Sequence, residues 1–408
     1  MSPPSPSRSE RTAVQNSQSQ EEYEPYSPEQ RQEPDNNGEK DPRDLALSHT
    51  KSSVAETLSL PREVLFVSCV CLAQLMTQAG LAQTVAIIHV IGDHFNITNP
   101  GTLSWLIAGY SLTVSTFILL SGRFGDVFGY KRMFIIGFAW FSVWSMVAGL
   151  AVYSNKVLFI FARVLQGIGP SICLPNGLAL FGATYAAGNR KNLVFAFFGA
   201  TAPVGAMIGA VFAGLWNLVW WPWTFWTFAI GLAGISVVSS FVIPEPPRKT
   251  RPETTISGLI QQLDLLGGLV GVTALVLFNF AWNQAGVVGW GKAYVVVTLI
   301  LGILLAPVFF YIEMRVAKSP LIPFQAFSTD VSFVCAVIAC EWACFGILFY
   351  YIWQFAEVIR LASPLKATAW IVPVAISGAC ASVATGKLLG LLRYAATNVS
   401  RRPPLTHP

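Results

Sequence analysis

Charge is what this sequence has least of. Asp, Glu, Lys and Arg make up 12% of its 408 residues, about half the share of an ordinary soluble domain. That excludes a water-soluble globular protein over most of its length, because 53% of the residues are apolar. Paired cysteines are missing as well. Cys69, Cys71, Cys173, Cys335, Cys340, Cys344 and Cys380 all sit in apolar stretches without zinc-site spacing, so they read as packing thiols and no metal is expected. A nucleotide-binding loop is absent: "GIG" at Gly167–Gly169 lacks the following Lys-Ser/Thr that holds phosphate. No cofactor and no enzymatic centre is expected, and uphill transport by this chain would draw on an ion gradient. The formal charge of +5 has no compact basic face to carry it, which excludes nucleic acid as a partner.

What charge there is lies unevenly. Residues 1–62 hold 7 of the 26 Lys+Arg and 11 of the 21 Asp+Glu, with no Ile, Phe or Trp. Such a segment cannot bury enough apolar surface to offset its ordering entropy, so a disordered tail is expected over 1–62.

Beyond it come ten apolar runs near the roughly 20 residues needed to cross a bilayer. They are Leu65–His89, Gly101–Leu120, Met133–Tyr153, Val157–Phe181, Leu193–Leu215, Leu218–Pro244, Leu265–Gln284, Ala293–Ile312, Ser332–Gln354 and Thr368–Leu391. None alternates with a two-residue period, which excludes a strand barrel. With the tail placed inside, the inner loops carry ten Lys or Arg (Arg123, Lys131, Arg132, Arg190, Lys191, Arg248, Lys249, Arg251, Arg315, Lys318). The outer loops carry four (Lys156, Lys292, Arg360, Lys366). The bias predicts that both termini are cytoplasmic.

Few polar groups interrupt the spans. Arg163 and Glu341 lie well inside the fourth and ninth. A charge there costs about 2.5–3.5 kcal/mol even on lenient insertion scales, so each should face a cavity or a partner. Arg163 keeps its proton and cannot ferry one; it either holds an anionic group or satisfies carbonyls of a broken helix. Glu341, near the bilayer centre, either loads and releases a proton or is a hydrogen-bonded core group. Gln74, Thr77, Gln78 and Thr84 share one face of the first span, and Asn176 and Asn279 add uncharged polar groups. A substrate-lined face and interhelical bonding both fit that stripe. Gly205 and Gly209 in "GATAPVGAMIGAVFAG" predict close helix packing.

Between the second and third spans stands "SGRFGDVFGYKRMF". Its Gly122, Asp126, Gly129 and Lys131, with Phe159, Arg163, Gln166, Gly167 and Gly169 in the fourth span, resemble the inner-loop and fourth-helix signatures of the major facilitator superfamily. The likeness is to its fourteen-helix drug:proton antiporter branch, and within that to fungal transporters of the aminotriazole-resistance type. It covers about Glu63 to Leu391. The resemblance implies an all-α membrane protein with the major facilitator fold and about ten transmembrane helices. It implies 63–244 as a first six-helix half, 245–264 as a cytoplasmic loop and 265–313 as two linker helices. Residues 314–392 would be the first two helices of an incomplete second half, and 393–408 a polar tail. It further implies multidrug or toxic-solute efflux by antiport with protons, in the plasma membrane or, alternatively, the vacuolar membrane. A small-molecule substrate, protons and the lipid bilayer would be the partners, with oligomerisation open.

In that scheme Gly122, Asp126, Gly129 and Lys131 form a gating loop, and Arg163 and Glu341 couple to protons. Gln74, Gln78 and Asn176 would line the substrate pathway. Three departures bear on it: Val127 and Tyr130 replace usual arginines, Ala82 replaces a usual aspartate, and Ala206-Met207 replaces a usual glycine pair. Because "SGRFG" is echoed by "TGKLLG" at Thr385–Gly390, four helices are expected to be absent. The rival expectation is a non-transporting membrane protein or a regulator of a longer relative.

Overall fold

The computed structural model describes residues 58–186, 188–245, 255–322, 324 and 327–400. Most of the expected tail therefore lies outside the described residues, as does much of the 245–264 loop. Ten helices among the described residues are long and apolar enough to cross a membrane: α1 Leu60–Val85, α2 Pro100–Phe128, α3 Tyr130–Tyr153, α4 Lys156–Thr184, α5 Asn189–Asn217, α6 Trp223–Val242, α7 Leu265–Val288, α8 Ala293–Val316, α9 Thr329–Ile359 and α10 Pro364–Leu388. Among the described residues there is no β-strand. The number and order of spans are as the sequence predicts.

Local chemistry sets the ends. Asn99 caps α2 by accepting from Gly101 N at 2.8 Å, with Pro100 behind it; both are favourable at a helix start. Asn155 likewise accepts from Leu158 N at 3.0 Å at the start of α4. α4 is two helical pieces, Lys156–Gln166 and Ile168–Thr184, broken at Gly167. Two ends differ from expectation. α1 starts at Leu60, inside the expected tail, and the α10 helix runs on to Ser400, so "TGKLLG" lies within a helix and part of the expected 393–408 tail is helical. A short helix, Ile256–Gln262, also stands in the expected 245–264 loop.

Small residues decide which helices touch. α5 packs along α1 with Gly205 and Gly209 against the backbone carbonyls of Leu75 and Ala79, where a Cβ would have no room. On the other side of α5, Pro203 meets Gly378 and Ala196 meets Gly386 of α10. In lipid there is no hydrophobic force to bring helices together, so such close backbone approach is what holds them. The first turn of α1 is also tied down. Glu63 accepts from Arg190 Nη2 at 2.9 Å and from the Tyr185 hydroxyl at 2.9 Å. Burial, and then the bond to Glu63, push the Tyr185 hydroxyl pKa up, so it remains a donor.

Among the described residues, the two larger buried clusters organise the bundle. One gathers Phe66, Phe134, Phe138, Phe141 and Phe181. The other gathers Ile87, Ile88, Leu106, Phe159, Trp221, Phe225 and Trp353. Trp221 is 4% exposed and packs edge-on against Phe225 and Phe159.

Candidate functional site

Arg163 is fully buried. Its Nη2 donates to Gly80 O of α1 at 3.0 Å, its Nε to Leu106 O of α2 at 3.3 Å, and its Nη1 to Gln166 Oε1. Gln166 passes the network to Ser145 Oγ of α3 at 2.5 Å, and Ser145 donates to Phe141 O at 2.7 Å. The guanidinium also lies 4.4 Å from the Tyr110 ring centre. This contact needs Gly167, since a Cβ there would collide with Thr113 and the Tyr110 carbonyl. Of the two readings open for Arg163, the geometry is that of the carbonyl-bonded one. No carboxylate partner of Arg163 occurs among the described residues. Arg163 and Gln166 together thus link four helices, and the bonds are worth more than surface pairs because the site is dry.

Tyr110 carries this order to a cavity. Its hydroxyl donates to Thr77 O at 2.9 Å, and both residues line a cavity of about 550 Å³ between α1, α2, α7 and α9. Gln78 from α1, Ser111 and Ser115 from α2, Asn279 and Asn283 from α7, and Trp342, Phe345, Phe349 and Tyr350 from α9 complete much of the wall. Among the described residues no Asp, Glu, Lys or Arg lines it. Its chemistry is amide, hydroxyl, aromatic and aliphatic, with Leu81, Val85, Ile107 and Leu112 among the lining. Such walls orient a ligand by a few hydrogen bonds and hold it by stacking.

Of the expected pathway residues, the structure brings only Gln78 to this cavity. Gln74 is buried but does not line it. Asn176 is fully buried at the α2–α4 crossing instead, donating to Ser121 O at 3.2 Å and to Ile172 O at 2.7 Å. There it presses on Gly125, which has no room for a Cβ. It is a packing residue beside the gating stretch.

The gating stretch itself is helix rather than loop. α2 runs to Phe128 and α3 starts at Tyr130, so the break is the single residue Gly129, at φ 100°, a conformation L side chains rarely adopt. Gly122 is not the point of close approach, since a Cβ there would find ordinary contact 3.6 Å away; Gly125 is. Asp126 accepts from the Tyr130 hydroxyl at 2.5 Å and pairs with Arg123 at 3.8 Å. Tyr130, in place of a usual arginine, therefore supplies a donor to the same aspartate. Arg123 also donates to Ser319 O and Pro320 O at 2.6 and 2.7 Å, fastening α2 to the segment after α8. Lys131 is half-buried.

Glu341 is not enclosed. It is exposed on α9 and does not line the cavity, although Trp342 beside it does. The expectation that it faces a cavity or a buried partner is corrected. α9 is held chiefly at its far end, where Trp353 and Ala356 join the cluster of Ile87 and Ile88 and His89 Nε2 meets Gln354 Oε1 at 3.0 Å. Asn283, Ser111 and Ser115 escape a reading of single spans. Only the α1–α2–α7–α9 arrangement brings them together, and serine on a helix ordinarily satisfies its own carbonyl, as Ser115 does with Leu112 O at 3.0 Å.

Comparison with known proteins agrees with this architecture. Residues 69–399 match the Major Facilitator Superfamily. The chain is 48% identical to the low affinity ammonium transporter of Saccharomyces cerevisiae, over 85% of this chain and 67% of that protein. It is 41% identical to the efflux pump terG of Aspergillus terreus, over 82% and 64%. It is 38% identical to the aminotriazole resistance protein of Saccharomyces cerevisiae, over 75% and 56%. The chain thus spans between about half and two thirds of the length of these curated relatives. A crystal structure of the peptide transporter POT shares the fold with TM-score 0.50 at 17% identity, covering 79% of this chain and 69% of that one.

Proposed function

Because this chain belongs to the major facilitator superfamily, we propose that it moves a small organic solute across the membrane through the α1–α2–α7–α9 cavity. The observation that carries this reading is the wall: amides, hydroxyls, aromatic rings and aliphatic side chains without a fixed charge. An anion would find no counter-charge there, whereas an uncharged solute with aromatic or hydrogen-bonding groups would be held. Similarity to fungal efflux pumps supports export. The excess of Lys and Arg on one set of loops supports cytoplasmic termini.

Coupling to protons belongs to the same proposal. At about 100° per residue, Glu341 lies about 40° from Phe345 around the α9 axis. This sets it outside the cavity wall, beside Phe345, where it would load and release a proton. Arg163 would act as a positioning residue, holding Tyr110 and the Thr77–Gly80 turn against the cavity. α9 is anchored at one end to residues 87–89, just beyond α1, which leaves the other end free to rock about that contact, the motion expected of an alternating-access transporter. Asp126 and Arg123 would bias that motion at the opposite face.

A second reading is transport of ammonium, favoured by the 48% identity to an ammonium transporter and by Tyr110, Trp342 and Phe345 in the wall, since aromatic faces attract cations. Proteoliposomes containing this chain decide between them. Efflux of an aromatic solute that Gln78→Ala weakens and ammonium does not inhibit supports the first reading. Ammonium flux lost in Trp342→Ala supports the second. No flux of either solute defeats both and leaves the non-transporting regulator.

A further inference from the structure

Two acids lie buried together at the loop end of the bundle where Arg123 is fastened. Asp264 caps α7, its Oδ1 accepting from Gly267 N at 3.2 Å, with its backbone left-handed at φ 47°. Glu313 lies near the end of α8, where the helix widens over Ile312–Val316. The two residues are 6% and 3% exposed. Asp264 Oδ2 and Glu313 Oε1 are buried without a donor from any other described group, and both crowd the same face of Gly267. The two oxygens both stand within 2.8 Å of one point, the place a Cβ on Gly267 would occupy, so the carboxyls face each other across a short gap. Two ionised carboxylates so placed oppose acceptor to acceptor, and a proton on one of them relieves the repulsion.

The charged groups on the elements around the pair do not relieve it. Arg123 on α2 spends its guanidinium on Ser319 O, Pro320 O and Asp126, and Asp126 takes the Tyr130 hydroxyl. Arg315 and Lys318, beyond Glu313 on its own strand of chain, are exposed. Among the described residues neither acid forms an ion pair. Meanwhile the other Glu313 oxygen, Oε2, accepts from Ile322 N at 3.2 Å. Glu313 therefore holds one end of the segment 317–322, and Arg123 grips the carbonyls in its middle.

We propose that Asp264 and Glu313 bind one proton between them and form a proton-held clip that fastens residues 317–322, and through them Arg123, to the ends of α7 and α8. With the proton present, Glu313 stays inward and its second oxygen holds the Ile322 amide. When the proton leaves to solvent, the two like charges repel in a dry site and Glu313 turns outward. The 317–322 segment is released, and Arg123 loses two carbonyl acceptors. Its guanidinium then closes on Asp126, from which it stands 3.8 Å away while the clip is shut. The direction follows from linkage: the clipped state binds the extra proton, so it is favoured at low pH and lost as pH rises. The inference does not rest on transport.

Hydrogen exchange of the purified full chain in nanodiscs tests it, read on peptides covering 317–322 and corrected for the intrinsic pH dependence of amide exchange. Protection should fall about tenfold or more as pH is raised, the factor that one pKa unit of differential proton binding supplies. Glu313→Gln should stay protected at every pH, because its amide donates to Asp264 while its oxygen still accepts from Ile322. Glu313→Ala should be unprotected throughout. Infrared difference spectra supply a second reading. Subtracting each variant's low-pH spectrum from that of the native chain should leave one carboxylic acid carbonyl component, lost in both Asp264→Asn and Glu313→Gln. Protection that does not change with pH in the native chain overturns the clip. So does a pH dependence that survives in Glu313→Gln, or difference spectra in which neither amide variant has lost a carboxylic acid component.

Discussion

α1 and α9 look alike as sequence and are opposites as structure. Both are long apolar helices carrying polar residues near mid-span, and α9 is the more apolar by hydropathy. Yet 56% of the spanning window of α1 is buried in the protein and 0% of that of α9. Hydropathy reports that a helix suits a hydrocarbon environment, and lipid and bundle core are both that. What separates the two is backbone contact. α1 meets α5 at Gly205 and Gly209, and its Gly80 and Thr77 carbonyls receive Arg163 and Tyr110. Gly346 in α9 has no neighbour within 4 Å to exploit its missing side chain. α9 earns its place through a few residues at one end.

The comparison breaks most easily at that end. Trp353 is 1% exposed, while Trp342 on the same helix is 48% exposed. Truncating a buried Trp costs about 3–5 kcal/mol, so Trp353→Ala should detach α9 and lower the unfolding temperature sharply, with Trp342→Ala close to native. Equal effects in a thermal unfolding assay would mean that α9 is held along its length. Next comes Gly205→Leu, which forces a side chain into the Leu75 carbonyl and should cost about 3 kcal/mol. Gly346→Leu should leave stability near native and project into the cavity instead. Size-exclusion profiles after heating separate the two variants. Arg163→Met follows, orphaning Gln166 and removing a donor from two carbonyls; about 1–3 kcal/mol is expected. A stable Arg163→Met protein would show that water replaces the guanidinium.

How much of this was legible in the sequence depends on what kind of contact was involved. The ten spans were legible, because length and apolarity alone fix them. The Gly205/Gly209 packing was too, since small residues in register have one common use in lipid. The gating stretch was recognisable by residue type, but not as continuous helix up to Phe128, because Gly122 and Gly125 look like loop residues while Gly125 serves Asn176. Arg163 showed that a buried charge needs partners without showing that backbone carbonyls could serve. Asn176 and Glu341 were placed by the rule that a polar group in a span faces the pathway. Asn176 faces a helix crossing and Glu341 faces outward, because a single span carries no information on which neighbour covers which side. Asp264 and Glu313 lie 49 positions apart in the sequence, and nothing local pairs them.

Glu341→Gln should have the smallest effect on stability and sharpens the comparison most. The side chain is exposed, and glutamine keeps its size while removing the titratable group. A change within about 0.5 kcal/mol is expected, as for substitutions away from buried features. Transport should respond differently. If Glu341 carries the proton, the variant will move solute down its gradient in proteoliposomes yet show no acceleration by an imposed pH gradient. The two measurements are independent, which makes the outcome readable in each combination. A stable variant that has lost only the pH dependence supports coupling at the edge of α9. A stable variant driven by the pH gradient as well as the native chain removes Glu341 from the coupling path. A variant destabilised by about 2 kcal/mol or more would instead mean that Glu341 makes a buried hydrogen bond in the membrane, a cost typical of an orphaned polar partner. In that case α9 would be a packed helix like α1, and the contrast between them would fall.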